Sequence, residues 1–406
     1  MNKSHIRAWC LYDFANSGFI AVFVVLFNVY YTDHIVGNEA GLGDWWWGCA
    51  ISLSAAVVAL TSPFMGAVAD RTGRRKLLLA VYTGINIAAT LAFTTLEQGM
   101  IVRGFLFAAM ANFAFEGAVV FYNAYLPEIA PSGRQGRVSG WGFGIGYVGS
   151  VVAILLGMVF VRTESLGIRW AWVQVAAQFL LFSLPALIVL PSGVTGKVGI
   201  LRAGVEGVSD TWRILNDALT IVNLRRFLGA YFLYVNGVNT VIVFASVFAV
   251  STLAFTQTQT LILFLVVQIS ACVGAFTMAR PTDTLGPKKV VIGSLYLWVL
   301  VVVGAAVVQS KPQFFVLAAV AGLGLGTVQA ASRSLMTRLI PIGKEAEFFG
   351  FYALCGKSSA ILGPVVFGAI SHQLGQRAGI ASVAVFFITG LLLLQRVRAD
   401  GERDEG

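Results

Sequence analysis

Twelve apolar segments, each long enough to cross a lipid bilayer, recur from one end of the 406-residue chain to the other. A membrane-spanning helix needs about 20 apolar residues, and because lipid offers the backbone no hydrogen bonds, such segments cross as helices. Only 12% of the residues are charged, whereas an average soluble domain is about one quarter charged. These features exclude an ordinary soluble globule and predict an all-α, polytopic membrane protein.

The apolar segments form two sets of six. The first set lies at about 8–32, 45–69, 77–96, 100–125, 137–161 and 170–190, and the second at about 227–250, 259–280, 289–309, 313–336, 347–371 and 379–396. We therefore predict an N-terminal six-helix bundle over 1–190, a cytosolic linker over 191–226, a C-terminal six-helix bundle over 227–396 and a cytosolic tail over 397–406. The linker segment VSDTWRILNDAL has helical spacing and predicts a short amphipathic helix.

The basic residues indicate how the chain is oriented in the membrane. Of the 28 Lys and Arg residues, 22 fall on the side of the N-terminus, 5 fall on the other side, and Lys357 lies inside a span. Cytosolic loops carry the excess of Lys and Arg, so both termini are expected in the cytosol. The N-terminal segment has no cleavage site after a short apolar core, which favours a retained first span over a secretory signal.

The loop between spans two and three, GAVADRTGRRK, carries the most specific pattern. Gly66 allows two helices to approach closely, and Gly73 permits a tight turn. Asp70 can accept hydrogen bonds from a neighbouring helix N-terminus or from Arg. We predict that Gly66, Asp70, Arg71, Gly73 and Arg74 form a conformational latch, the alternative being that the cations only set topology.

A second copy of this pattern indicates an internal repeat. Asp283 and Gly286 stand 213 residues after Asp70 and Gly73, and Lys288 and Lys289 follow at the spacing of Arg75 and Lys76. The glycines of spans five and eleven repeat with an offset of 210, as the pairs Gly140 and Gly350, and Gly146 and Gly356. Duplicated six-helix halves are common in transporters. Because no Arg follows Asp283, we expect this second latch to be weaker.

The loop pattern resembles the "GxxxDRxGRR" signature of the major facilitator superfamily. The stretches WCLYDFANSGF, FYNAYLPEIA, GRVSGWGFGIGYVGS and QAASRSLMTRLIPIGKEAEFFGFYALCGKSSAILGP are further similar to the family related to the vacuolar amino-acid effluxer of autophagy, in its bacterial branch. The resemblance implies twelve helices in two bundles around a central cavity, and export of amino acids or related solutes across a bacterial cytoplasmic membrane. Span five has no Gly-Pro pair and span four no "RxxQG" element, which argues against a multidrug transporter.

Polar residues inside the spans are the candidate site. Glu116 and Lys357 lie near the midplane, whereas Asp13 and Arg333 lie nearer the cytosolic mouth. Uncharged polar residues follow the spans that line the cavity in the superfamily, with Asn112 and Glu116 on one face of span four that we expect to point inward. The predicted substrate-binding or proton-coupling residues are Asp13, Asn16, Asn112, Glu116, Asn123, Asn236, Asn239, Gln329, Arg333 and Lys357.

Each charged candidate also has a purely structural explanation. Asp13 could bond backbone groups near a helix start, and Arg333 could extend its guanidinium to the cytosolic interface. Glu116 and Lys357 are too deep for that, so their alternative is a static ion pair between helices.

The sequence contains no catalytic motif, phosphate loop or metal-ligand spacing, so we expect neither an enzyme nor a cofactor or metal site. The four cysteines are expected to be free and buried. We predict a monomeric secondary transporter in the lipid bilayer that exports amino acids or similar zwitterions, with a proton as a candidate coupling ion and no nucleic-acid partner. The alternatives are an exporter of lipophilic or anionic solutes and a membrane sensor with the same fold.

Overall fold

The computed structural model describes residues 2–162, 167–193 and 220–398, which fold into helices joined by short loops. Eleven of the helices within these ranges have the length and hydropathy of a membrane span. A further helix of 30 residues, Glu345–Leu374, stands where span eleven was predicted. The predicted linker helix lies outside the described residues, as does most of the predicted tail.

The N-terminal half contains α1 (Lys3–Val22), α2 (Leu42–Thr72), α3 (Arg75–Ala92), α4 (Ile101–Asn123), α5 (Gln135–Arg162) and α6 (Gly167–Val189). α1 continues in wider, π-helical turns at Phe23–Phe27 and Tyr30–Val36, so the first span extends beyond the predicted 8–32. Short helical turns at Glu39–Gly41, Phe93–Thr95, Leu126–Ile129 and Ser132–Arg134 complete the connections.

The C-terminal half contains α7 (Val222–Ser251), α8 (Gln257–Thr284), α9 (Pro287–Val307), α10 (Lys311–Leu339), α11 (Glu345–Leu374) and α12, whose two parts, Gln376–Ser382 and Ala384–Gln395, continue through a tighter helical turn at Val383. α7 begins inside the predicted linker 191–226. The polar residues of its first turns belong to the helix because they pair with the end of α12: Arg226 donates to the Arg396 carbonyl at 3.0 Å, and Asn223 accepts from the Arg398 N–H.

Local sequence signals explain the helix ends. α2 ends at Gly73, whose φ of 65° lies in the left-handed region that favours glycine. Gly286, with φ of 91°, makes the equivalent turn before Pro287 at the start of α9. α8 begins with a capping box between Thr256 and Gln259.

The two halves repeat the same packing. α1 packs on α5 and α6 in the first half, and α7 packs on α11 and α12 in the second. Between the halves, α2 packs along α11 and α5 packs along α8. The result is the predicted pair of six-helix bundles.

The repeated glycines lie at these helix crossings. A Cβ on Gly350 of α11 would collide with the α2 backbone at Ser62 and Pro63, and a Cβ on Gly140 of α5 would collide with α8 at Ala275 and Ala279. These crossings lie on the face of the molecule where α1 begins and α12 ends, which we call the terminal face. At the terminal face, therefore, the halves are in close contact.

Candidate functional site

A cavity of about 430 Å³ lies between the two halves, on the inner side of the terminal-face contacts. Helices from both halves line it, including α1, α4 and α5 from the first and α7, α10 and α11 from the second. Its charged lining residues are Asp13, Glu116, Arg333 and Lys357. The four ionisable residues predicted from the spans thus meet at one cavity.

Glu116 of α4 and Lys357 of α11 form an ion pair and hydrogen bond across the two halves. The side chain of Glu116 is 12% exposed and that of Lys357 is 31% exposed. The pair is therefore partly accessible from the cavity, and the cation faces it more openly than the anion does. A solute that enters the cavity meets both charges at once.

The uncharged candidates divide into two groups. Asn16, Asn123, Asn239 and Gln329 line the cavity, and Asn239 donates weakly to Ser359 at 3.4 Å. These four lie where a hydrophilic solute would contact them.

Asn112 and Asn236 lie elsewhere. Asn112 donates to Ser54 of α2 at 2.6 Å, so the inward face expected for Asn112 together with Glu116 is wrong for Asn112. One helical turn separates them, but Asn112 turns toward a helix of its own half. Asn236 is fully buried inside the C-terminal half, and its amide has no hydrogen-bond partner among the described residues.

Arg333 of α10 inserts its guanidinium into the N-terminal half. It is 2% exposed, so it does not extend to the interface. Nη1 and Nη2 each donate to Asp13 Oδ2 at 3.3 Å, and Nη1 also donates to Asn123 Oδ1 at 3.2 Å. Nε donates to Ser139 Oγ at 2.9 Å and Nη2 to the Ser139 carbonyl at 2.8 Å. All five N–H groups of the guanidinium are satisfied.

Aromatic rings enclose the same guanidinium. Its central carbon lies 4.0 Å from the ring centre of Phe143, 4.6 Å from Trp9 and 5.6 Å from Tyr122. Cations over ring faces are stabilised by the ring quadrupole, most when water is excluded. Asp13 is 3% exposed, so Arg333 and Asp13 form a buried pair rather than an open solute site.

Polar residues spaced four apart on α10 connect the halves. Thr337, Arg333 and Gln329 share one helix face. Thr337 donates to Gln135 Oε1 at 2.7 Å, and Gln329 accepts from Tyr147 at 2.8 Å. This face of α10 therefore makes a polar seam with α5 from the terminal face up to the cavity.

The latch residues lie at the terminal face. Asp70 accepts from the N–H groups of Ala346 at 3.2 Å and Glu347 at 2.9 Å, in the first turn of α11. A carboxylate in this place satisfies otherwise unpaired helix N–H groups and the positive end of the helix dipole. Gly66 contacts the Ala346 carbonyl so closely that a Cβ would collide with it.

Arg75 holds the same corner together. It donates to Asp70 at 2.9 Å, to Glu128 at 3.3 Å and to Glu345 of the other half at 3.3 Å. It also donates to the Ala124 carbonyl at 2.9 Å. One guanidinium on α3 therefore links α2, the connection that follows α4, and α11.

The second copy of the pattern makes the matching contact on the other side. Asp283 of α8 accepts from the Arg137 N–H at 3.2 Å, in the first turn of α5, and lies 3.7 Å from the Arg137 side chain. The carboxylate of each repeat thus caps a helix of the opposite half.

Several important residues were missed in the sequence. Ser139, Gln135 and Phe143 are ordinary residues for a membrane helix, and only the partner on α10 gives them a role. The α10 spacing of Gln329, Arg333 and Thr337 was the signal that would have indicated a seam there.

Comparisons with known proteins agree with this architecture. The model of the family described as vacuole effluxer Atg22 like matches residues 49–406. The MFS-type transporter YxiO of Bacillus subtilis is 27% identical over 412 residues, which cover 98% of this chain and 96% of that protein. Autophagy-related protein 22-1 of Penicillium rubens is 26% identical over 449 residues, which cover 87% of this chain and 75% of that protein.

Solved structures are similar in fold at low sequence identity. The human organic anion transporter MFSD10 aligns with a TM-score of 0.78 at 15% identity, over 97% of this chain and all of that one. The proton:xylose symporter XylE aligns with a TM-score of 0.72 at 13% identity, over 97% of this chain and 94% of that one. At such identities the likeness shows the major facilitator fold alone.

Proposed function

The chain belongs to the vacuole effluxer Atg22-like family of major facilitator transporters, and we propose that it exports amino acids or similar small zwitterions by alternating access. The observation that carries this proposal is the Glu116–Lys357 ion pair in the cavity. It joins the two halves, lies at mid-depth and remains partly exposed.

A zwitterion is suited to such a pair because it offers one charge for each partner. The carboxylate of an amino acid can replace Glu116 beside Lys357, while its ammonium replaces Lys357 beside Glu116. Neither protein charge is then left unpaired in a low-dielectric site, which would be costly. A solute with a single charge would leave one partner uncompensated.

Glu116 is also our candidate for proton coupling. Protonation of this carboxylate would remove the charge that pairs with Lys357 and release the lysine. The proton and the substrate ammonium would then compete for the same carboxylate, which is a direct way to couple their movements.

We further propose that the terminal face is cytosolic in a bacterial cytoplasmic membrane. The excess of Lys and Arg in the loops on that side supports this orientation. The contacts between the halves at the terminal face would then close the cavity to the cytosol. In this state a cytosolic substrate could not enter the cavity.

Transport in proteoliposomes tests the proposal. We expect a panel of radiolabelled amino acids to contain at least one transported substrate, and we expect a pH gradient to change its initial rate. For that substrate, the matching amine without a carboxylate and the matching acid without an ammonium should each be transported poorly.

Matched variants separate the site from general damage. Glu116→Gln should lower transport strongly, whereas Glu97→Gln, the same change at an exposed acid, should leave it unchanged. If the acid alone were transported as well as the amino acid, an anion exporter that uses Lys357 would replace our proposal.

A further inference from the structure

The pocket that holds the Arg333 guanidinium is built from one half of the protein, while the arginine belongs to the other. The pocket consists of Trp9 and Asp13 on α1, Tyr122 and Asn123 on α4, and Ser139 and Phe143 on α5. We call these six residues the cation box. Arg333 enters the box from α10 in the C-terminal half.

Contacts within the N-terminal half hold the box in shape. Trp9 donates through its indole N–H to the Tyr122 carbonyl at 2.9 Å, and the two rings stack with centres 4.5 Å apart. The Tyr12 ring also stacks on Tyr122, with ring centres 5.0 Å apart. None of these contacts uses Arg333, so they do not depend on its presence.

Gly142 of α5 provides the space that the guanidinium occupies. A Cβ at this position would lie 2.6 Å from the Trp9 ring, 2.7 Å from Asp13 Oδ2 and 2.9 Å from Arg333 Nη2. A residue with any side chain would therefore fill part of the box.

Opening of the terminal face would empty this pocket. If the halves separate there, as our proposed alternating access requires, Arg333 leaves with the C-terminal half. Four acceptor groups then remain in the empty box, namely the Asp13 carboxylate, the Asn123 amide oxygen, and the hydroxyl and carbonyl oxygens of Ser139. They lie beside the rings of Trp9, Tyr122 and Phe143 and face water from the terminal side. A carboxylate beside aromatic faces is the chemistry that recognises an organic cation.

We propose that, in the state open at the terminal face, the cation box binds a planar organic monocation of the guanidinium type, and that Arg333 is its tethered competitor in the closed state. The ligand class follows from the geometry that Arg333 displays. The acceptor oxygens match the coplanar N–H donors of a guanidinium group, and the aromatic rings favour a weakly hydrated cation. A sodium ion would gain little, because ring faces would replace some of its oxygen ligands.

Occupation of the cation box would regulate transport. A cation that occupies the box from the terminal side keeps Arg333 out and therefore prevents closure. Guanidinium-type solutes on that side should slow transport by holding the protein open, whether or not they are transported themselves.

The direct test is chemical rescue of Arg333→Ala by guanidinium in the purified full-length protein. Millimolar guanidinium should raise its thermal stability saturably and bind about tenfold or more tightly than sodium at equal ionic strength. Rescue should be lost in Arg333→Ala with Asp13→Asn, and in Arg333→Ala with Gly142→Ala. The double variant Arg333→Ala with Gly84→Ala should keep it, since a Cβ at Gly84 meets no atom within 4 Å.

Wild-type transport provides a second measurement if Arg333→Ala does not fold. Guanidinium on the terminal side should inhibit saturably, methylammonium less and potassium not at all. Absence of both rescue and inhibition would overturn the cation box, as would rescue that persists without Asp13. Saturable binding in a protein that transports no amino acid would instead leave the box standing and reject the proposed substrate.

Discussion

At the scale of single residues, the two ion pairs that line the cavity differ in accessibility. Asp13 and Arg333 are almost completely buried, whereas Lys357 retains 31% of its side-chain exposure. Breaking a fully buried pair costs about 3–5 kcal/mol because one charge is left without compensation. We therefore infer that the pair of Asp13 and Arg333 stabilises the state closed at the terminal face. The pair of Glu116 and Lys357 is the one whose partners the substrate replaces.

A double-mutant cycle tests whether Glu116 and Lys357 depend on each other. Lys357→Ala and Glu116→Gln should each lower folded yield or transport. The loss of stability should be smaller than for a fully buried pair, because Lys357 is partly solvated. The double variant should recover yield without recovering transport, since neither charge is left unpaired. Folded yield by size-exclusion chromatography and uptake in proteoliposomes measure the two effects.

Lys289→Ala serves as the control, because this lysine is exposed. Strictly additive losses in yield would mean that the two residues are not coupled. Full transport in the double variant would remove both from the mechanism.

The sequence could predict the depth of these residues but not the direction in which each points. Glu116 and Lys357 could be predicted as site residues from their charge and their position within the spans, because ionisable residues at the midplane are costly and need a partner. Asn112 could not be assigned from spacing alone, because one helical turn of offset does not fix which neighbouring helix a side chain meets. The aromatic enclosure of Arg333 was not predictable for the same reason.

At the scale of helices, capping contacts between the halves hold the terminal face closed. Asp70 caps α11 and Asp283 caps α5, so each repeat contributes one carboxylate. Gly66 of α2 and Gly136 of α5 bring the helices close enough for these contacts to form, because a Cβ at either position would collide with the opposite half.

Asp70→Asn should impair transport while abundance and topology stay nearly unchanged. The change weakens the hydrogen bonds to α11 and removes the charge beside Arg75, at a cost of about 1.5–3 kcal/mol for a hydrogen bond to a charged group. Uptake and surface labelling measure the two outcomes. Asp44→Asn, at the exposed other end of α2, is the control, and wild-type rates in a correctly inserted Asp70→Asn protein would leave the loop as a topology signal.

Gly66→Ala should shift the protein toward the state open at the terminal face. The added methyl group collides with the Ala346 carbonyl in the closed state, and such overpacking costs about 1–3 kcal/mol. Labelling of a cysteine placed at Ser139 by a reagent added from the terminal side should become faster. Gly48→Ala, on the same helix with open space around it, should not change the labelling rate, and equal rates in both variants would contradict the close-contact account.

The helices themselves were largely predictable, because the bilayer imposes their length and apolar composition. Their ends were less so. The first turns of α7 were predicted as linker because Arg225 and Arg226 interrupt the apolar run, and only the contact with α12 shows why they are helical. The tighter turn at Val383 in α12, where the Phe386 N–H donates to the Val383 carbonyl, has no Pro or Gly beside it to indicate it.

At the scale of the whole molecule, the contacts form a series from the terminal face to the cavity. Asp70, Asp283, Thr337 and Gln135 all lie at the terminal-face ends of their helices, and Arg333 in its box lies farther in, at the cavity floor. All of them join one half to the other. A rocking of the two bundles about the cavity would break them together, which is the central claim of our account.

Distances between spin labels on the two faces test this claim most directly. In a cysteine-free background with wild-type transport, one pair of labels replaces exposed Arg134 and Ile342 at the terminal face, and another replaces exposed Glu39 and Leu374 at the opposite face. During turnover with a transported amino acid, we predict a new population with a longer terminal-face distance and a shorter opposite-face distance. Unchanged distances on both faces, in a protein that is transporting substrate, would contradict the account.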